Sequence, residues 1–172
     1  MIKAAGAVLI LLAGTMIGFL QAARFAKRPR QLRELIHGLQ RLETEIGYGY
    51  TPLPEAMRRT GAHMAEPAAS IFRLTSDRLE SPDAPAFEAC WEETLAGCWP
   101  GTAMRKTELA TLRRLGSTLG MSDREDQLKH LRLAQQQMQA EEDGARDDQA
   151  RYEKLSRSLG ILIAALVVIL MV

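Results

Sequence analysis

The sequence contains few of the residues from which disulfide bonds and metal sites are built. Of its 172 residues, two are cysteine, three are histidine and 5% are aromatic. Cys90 and Cys98 lie about 12 Å apart along one predicted helix, which exceeds the ~7 Å between Cα atoms that a disulfide tolerates. No histidine or cysteine pair has the spacing of metal ligands. We therefore expect two reduced thiols, no disulfide and no metal site.

Sequence signatures of common enzyme classes are also missing. The chain has no GxxxxGK(S/T) phosphate-binding loop and no GxGxxG, HExxH, CxxC or GxSxG motif. Glu43 and Glu45 are two residues apart and therefore point to different sides of a helix, which does not suit paired acid–base catalysis. We predict that the protein is not an enzyme and has neither catalytic nor cofactor-binding residues.

The chain has no excess of charge of either sign. The formal net charge is +1, and Lys3 is the one charged residue outside residues 24–157, so that region balances to zero. Nucleic-acid binding relies on clustered positive charge, and a balanced region does not favour it. We expect no nucleic-acid partner.

Long uncharged runs occur at both ends, and we predict a transmembrane helix at residues 1–23 and another at residues 158–172. The first has about 20 apolar or small residues from Ala4, enough to cross a ~30 Å hydrocarbon core. The second is shorter, and it spans when counted from Leu155 with Arg157 reaching the headgroups and the bilayer thinned locally. A cleaved signal peptide is the alternative for the first run, and a buried core helix for the second.

Basic residues flank both apolar runs on the side that faces the middle of the chain. They are Arg24, Lys27, Arg28, Arg30 and Arg33 after the first run, and Arg151, Lys154 and Arg157 before the second. Lysine and arginine accumulate on the cytoplasmic side of membrane proteins, so residues 24–157 are predicted to be cytoplasmic.

Small residues recur every four positions within the first run, at Gly14, Gly18 and Ala22. This spacing lets two membrane helices approach closely, so one interpretation is that this face packs on the C-terminal helix or on a partner. Glycine is also common in membrane helices without such a role, and this is the interpretation that the sequence favours.

Residues 24–157 are predicted to be an all-α multi-helix bundle. We expect Pro29 to interrupt the helix. After it, apolar residues recur at spacings of three and four: Leu32, Leu35, Ile36, Leu39, Leu42 and Ile46. Shorter helices should follow, with Thr51 capping the second and Ile71, Phe72, Leu74 and Leu79 buried in the third. Tyr48 and Tyr50 are expected to pack at a hinge. A capping box at Ser122–Glu125 should open a long last helix that continues into the C-terminal run.

Four segments together resemble the stage III sporulation protein AB family: RPRQLRELIHGLQRLETEIGYGYTPLPEAM, CWEETL, LGSTLGMSDREDQLKHL and RYEKLSRSLG. The resemblance covers essentially the whole chain, including both apolar ends. It implies a protein of endospore-forming bacteria in the mother-cell (outer forespore) membrane, within a channel complex between mother cell and forespore. The family's soluble part is similar to the cytoplasmic domain of the inner-membrane platform proteins of type II secretion and type IV pilus systems. Those platforms carry two such domains and more membrane helices.

The resemblance implies a non-enzymatic membrane platform required for endospore formation. Its implied partners are other proteins of the complex, including its cytoplasmic ATPase, and the lipid bilayer; a homo-oligomer is left open. A set of residues, charged or polar except for Leu53, is predicted to dock these partners: Arg28, Arg30, Arg33, Glu43, Glu45, Tyr48, Thr51, Leu53, Glu141 and Glu142. The alternatives are a membrane-anchored helical tether or scaffold without a secretion role, and an ATPase in its own right.

Overall fold

A computed structural model describes residues 26–171 of the chain, and all regular structure there is helical. The helices are α1 (26–47), α2 (Leu53–Gly61), α3 (Ala68–Leu79), α4 (Phe87–Cys98), α5 (Lys106–Gly116) and α6 (Arg124–Met171), with a 3-10 turn at Trp99–Gly101. No β-strand occurs within this range. The all-α prediction is therefore confirmed for these residues, as is a long last helix that continues into the C-terminal apolar run.

The chain divides into two compact units. Arg28–Asp143 forms one unit, and the two chain ends form the other, which is described at residues 26–27 and 144–171. The predicted N-terminal membrane helix, with its packing residues Gly14, Gly18 and Ala22, lies outside the described residues. Between residues 26 and 171, no helix combines the length and the apolar character that crossing a membrane requires.

The core of the Arg28–Asp143 unit begins with the apolar stripe of α1. All six predicted positions are buried: Leu32, Leu35, Ile36, Leu39, Leu42 and Ile46. The third helix differs in part from expectation, because α3 buries Ile71 and Phe72 together with small alanine, serine and threonine residues, and Leu74 is exposed. Position 74 lies off the face shared by positions 71, 72, 75 and 76, so its burial was wrongly predicted.

Trp91 of α4 is the largest fully buried side chain of the core. Its ring centroid lies 5.9 Å from that of Phe72 in an edge-to-face arrangement and 5.8 Å from that of Phe87 in a stacked one. Its indole N–H donates a 2.8 Å hydrogen bond to the carbonyl oxygen of Leu112 in α5. A Cβ added to Gly116 would stand 2.2 Å from Trp91 Cδ1, so a residue without a side chain is required where α5 crosses this ring.

Pro29 lies inside α1, so the prediction that it interrupts the helix is wrong. The proline is the fourth helical residue that the structure describes, and it is buried, as are the neighbouring Arg28 and Leu32. The helix therefore continues through Pro29, which packs inside the bundle.

Two helix caps also differ from expectation. The hydroxyl of Thr51 donates to Glu45 Oε2 at 2.9 Å rather than capping α2, which begins at Leu53. At the start of α6, Asp123 Oδ1 accepts the amide of Asp126 at 2.9 Å, while the hydroxyl of Ser122 donates to the carbonyl of Thr118. The capping box at Ser122–Glu125 is therefore wrong, because the neighbouring aspartate is the acceptor.

The two cysteines carry free thiols, as predicted. Cys90 is buried in α4 and Cys98 is partly buried at its end. Eight residues of one helix separate them, about 12 Å along its axis, which is more than the ~7 Å between Cα atoms that a disulfide tolerates.

Candidate functional site

A buried cluster of charges joins three helices at one end of the Arg28–Asp143 unit. Arg28 of α1 donates from Nε to Glu108 Oε1 of α5 at 2.9 Å, and from Nη2 to Glu141 Oε2 of α6 at 2.6 Å. The Arg28 side chain is 8% exposed, that of Glu108 is fully buried, and that of Glu141 is 36% exposed. We refer to these three residues as the charge cluster.

Glu108 stays ionised in this setting because the groups around it favour the charged form. Burial alone would raise the pKa of Glu108. Hydrogen bonds from its own backbone amide, from Arg28 and from the amide of Arg105, together with the positive charge of Arg28, outweigh burial and hold the pKa below its usual range. The Arg105 amide is an orphan donor at the start of α5, and Glu108 Oε2 accepts it at 2.7 Å.

A second ion pair lies beside the cluster. Arg33 Nη2 donates to Glu142 Oε1 at 2.9 Å, and Gln139 Nε2 donates to Glu142 Oε2 at 3.1 Å. Glu142 is buried, whereas Arg33 is about half exposed. Arg28 and Glu142 had been assigned to a docking surface as exposed charges, and that premise is wrong for both: their charges are satisfied inside the bundle.

Two further predicted docking residues form intramolecular pairs near the other end of α1. Glu43 accepts hydrogen bonds from Arg132 Nε at 2.6 Å and from Gln135 Nε2 at 2.9 Å, which ties α1 to α6. Glu45 accepts the hydroxyl of Thr51 and contacts Arg59 Nη1 at 3.3 Å. The two carboxylates therefore face different neighbours, as their spacing predicts.

Exposed apolar side chains gather where α1 ends and α6 begins. Tyr48 is 85% exposed, Tyr50 77% and Met121 74%, the highest values among the large apolar residues that the structure describes. The expectation that the two tyrosines pack at a hinge is therefore wrong. The guanidinium carbon of Arg124 lies 3.7 Å from the centroid of the Tyr50 ring, which joins the α1–α2 turn to the first residue of α6. We call Tyr48, Tyr50, Met121 and Arg124 the tip.

Two left-handed residues shape the turns that carry the tip. Tyr50 has a φ of 49°, which is unusual for a residue with a side chain, and Gly120 has a φ of 85°. A Cβ on Gly120 would also lie 3.0 Å from Phe87 Cβ and 3.5 Å from Leu53 Cδ2. The α5–α6 turn therefore packs closely on the first residues of α2 and α4 through glycine.

The predicted docking residues are thus divided between the two ends of the unit. Arg28, Arg33, Glu141 and Glu142 belong to the charge-cluster end, where Arg30 is also exposed. The others lie towards the tip, and all of them except Tyr48 are partly buried: Glu43, Glu45, Tyr48, Thr51 and Leu53.

The sequence reasoning missed Glu108, Tyr50, Met121 and Arg124 as members of these sites. A carboxylate two residues after Lys106, at the third position of α5, is a typical N-terminal signal and indicates a capping role. Nothing local indicates that it pairs with an arginine 80 residues earlier. The position of Arg124 becomes informative only once Asp123 is known to be the cap.

Comparisons with known proteins agree with this architecture. The family model of stage III sporulation protein AB matches residues 3–172. Stage III sporulation protein AB of Bacillus subtilis (strain 168) is 40% identical over 171 residues, which is 99% of each chain. A solved structure of a stage III sporulation protein AB superposes with a TM-score of 0.67 at 38% identity, covering 73% of this chain and 98% of the solved one. The chain therefore belongs to the stage III sporulation protein AB family.

Proposed function

We propose that this protein is a non-enzymatic membrane platform of the sporulation channel complex between mother cell and forespore. One observation carries the proposal: the family match extends from residue 3 to residue 172, and so includes both apolar ends as well as the helical bundle. A role in sporulation follows from the family. The platform role, the membrane and the ATPase partner are the parts that we propose.

The proposed topology has two membrane spans, at residues 1–23 and 158–172, with the bundle in the mother-cell cytoplasm. It is supported by the basic residues on the inner side of both apolar runs. Arg59 and Gly144 are exposed positions at which cysteine can be introduced after Cys90 and Cys98 are replaced by serine. Both new thiols should react with a membrane-impermeant maleimide only in permeabilised cells. Labelling of both in intact cells would overturn the orientation.

The proposal of a non-enzymatic role rests on where the charged side chains are used. The buried carboxylates of Glu108 and Glu142 each accept hydrogen bonds from arginine within the bundle. Catalytic carboxylates instead need access to substrate and a pKa matched to proton transfer. The full chain in detergent should bind no ATP in equilibrium dialysis, and stoichiometric binding would contradict this part of the proposal.

The proposed partner is the cytoplasmic ATPase of the same complex. The full chain, co-expressed with that ATPase and solubilised in detergent, should co-purify with it, and deletion of the protein should abolish heat-resistant spores. Absence of co-purification together with lost spores would favour the alternative, a helical tether without a secretion role. The 48-residue length of α6 is the observation in favour of that alternative.

A further inference from the structure

The tip departs from three preferences of folded proteins on one small surface. The most exposed large apolar side chains lie there, one of them on a left-handed backbone, and a cation occupies the first position of a helix. Departures of this kind concentrate at functional sites, because folding alone would not retain them. We propose that the tip is a docking surface for a protein segment that presents one carboxylate beside an aliphatic side chain.

Arg124 supplies the charge that selects this partner. Positive charge is unfavourable at a helix N-terminus, where the macrodipole is itself positive. Arg124 nevertheless lies there, with its guanidinium against the Tyr50 ring and with its Nε buried and without a hydrogen-bond partner in the described part of the chain. A guanidinium whose face is covered by an aromatic ring can still donate from its edge to a carboxylate. Because Nε of Arg124 is buried, that donation would come from its Nη groups.

The surrounding charges favour a protein partner over a polyanion. Asp123, Glu125 and Asp126 occupy the same turn as Arg124. They would repel a nucleic acid or an anionic bilayer, both of which present many phosphates. One carboxylate that approaches Arg124 from the Tyr50 side meets a single cation, so a lone aspartate or glutamate of a protein fits this surface.

The apolar residues supply the contact area next to that carboxylate. Tyrosine and arginine are enriched among the residues that dominate binding energy, and methionine adapts its shape to a partner side chain. Tyr48 and Met121 flank the Tyr50–Arg124 pair on the two neighbouring turns. An aliphatic side chain beside the partner carboxylate would cover them.

The tip lies at the opposite end of α1 from the charge cluster. Arg28 and Glu141 are in contact at one end, and the tip lies about 28 Å away along α1, since 19 residues separate Arg28 from residue 47. The inference deepens the proposed function, because it names the surface and the chemistry of the partner.

Photo-crosslinking in sporulating cells tests the inference with the full chain. A benzoylphenylalanine at Tyr48 is compared with one at Leu74, an exposed position on α3 that serves as the control. We expect a protein adduct from position 48 alone, and mass spectrometry should map it to a segment with an aspartate or glutamate beside an aliphatic residue. Arg124→Glu should reduce the adduct roughly tenfold or more, and Arg114→Glu on α5 should not.

A charge swap then separates a real contact from proximity. Replacing the mapped carboxylate with lysine should restore the adduct of the Arg124→Glu chain. No protein adduct, an adduct to lipid or to a second copy of this chain, or no effect of Arg124→Glu would each overturn the inference. Folding of the position-48 chain is checked separately by its tryptophan fluorescence, which should match that of wild type because Tyr48 is 85% exposed.

The outcomes also separate this inference from the proposed function. A restored adduct to the sporulation ATPase supports both. A restored adduct to another protein supports the docking chemistry and contradicts the ATPase as the partner. Co-purification with the ATPase that is unchanged by Arg124→Glu leaves the platform role standing and overturns the tip as its docking surface.

Discussion

The charge cluster is expected to stabilise the bundle only as a complete set. In Arg28→Met, the fully buried Glu108 keeps its negative charge but loses the guanidinium 2.9 Å away. Removing one partner of a buried ion pair leaves an uncompensated charge and costs about 3–5 kcal/mol. Total stabilities are roughly 5–15 kcal/mol, so this one substitution should remove a large fraction of the free energy of unfolding.

Two companion variants separate burial from charge. Glu141→Gln should cost no more than about 1 kcal/mol, because that carboxylate is 36% exposed and water screens it. The double variant Arg28→Met with Glu108→Gln should recover much of the loss of Arg28→Met, since no buried charge remains unpaired and neutral replacements of buried ion pairs are often tolerated.

The pH dependence of the free energy of unfolding tests the same reasoning independently. Because the pKa of Glu108 is lowered in the folded protein, its contribution is fully present above the unfolded pKa of about 4.3 and is lost as pH falls through the folded pKa. In Arg28→Met, burial acts on Glu108 without that guanidinium, so acidification neutralises an unfavourable charge. The stability difference between wild type and Arg28→Met should therefore be largest near pH 7 and should narrow below about pH 5.

Urea unfolding of the full chain in detergent measures these differences through tryptophan fluorescence. The chain has two tryptophans, and both lie in the Arg28–Asp143 unit: Trp91 in the core and Trp99 at the end of α4. An Arg28→Met variant that loses less than about 1 kcal/mol near pH 7, or a double variant less stable than Arg28→Met, would refute the account of the cluster.

Two further predictions use the same measurement. Gly116→Ala should lower the free energy of unfolding by about 1–3 kcal/mol, because the new Cβ would stand 2.2 Å from Trp91 Cδ1. Gly97→Ala has nothing within 4 Å of its new Cβ and should raise the free energy of unfolding by roughly 0.5–1 kcal/mol through helix propensity. Equal effects of the two substitutions would contradict the packing argument. Asp123→Ala should cost about 1 kcal/mol by removing the cap of α6. Ser122→Ala should cost less, and the reverse order would restore the serine as the cap.

Apolar periodicity made the core of the unit predictable from sequence. The α1 stripe from Leu32 to Ile46 is buried throughout, because six large side chains at spacings of three and four leave one helix face to be covered. Leu74 shows where this reasoning ends. The buried face of α3 includes alanine, serine and threonine, which allow closer packing than leucine does. The spacing of large apolar residues alone does not identify such a face.

Caps and turns were less predictable, because neighbouring residues compete for the same backbone groups. Ser122 and Asp123 both carry acceptors for the start of α6, and the carboxylate takes the amide of Asp126. Gly47 ends α1 and Gly49 lies in the α1–α2 turn, yet the left-handed residue there is Tyr50. The ring of Tyr50 contacts Arg124, 74 residues later in the chain, and no local pattern encodes that contact.

Contacts with distant residues also involve the basic residues that follow the N-terminal apolar run. Arg28 pairs with carboxylates 80 and 113 residues downstream, and Arg33 pairs with one 109 residues downstream. In the folded unit the positive charges of Arg28 and Arg33 are therefore paired with carboxylates. In the proposed topology, however, the bias of lysine and arginine acts on the chain while its first apolar run is inserted, before distant carboxylates are in place. Arg28 would then serve first as an orientation signal and afterwards as the buried counter-ion of Glu108. Arg28→Met combined with Glu108→Gln separates these roles, because it removes the positive charge at position 28 while leaving no buried charge unpaired. A changed pattern of maleimide labelling in that double variant would therefore report on orientation alone.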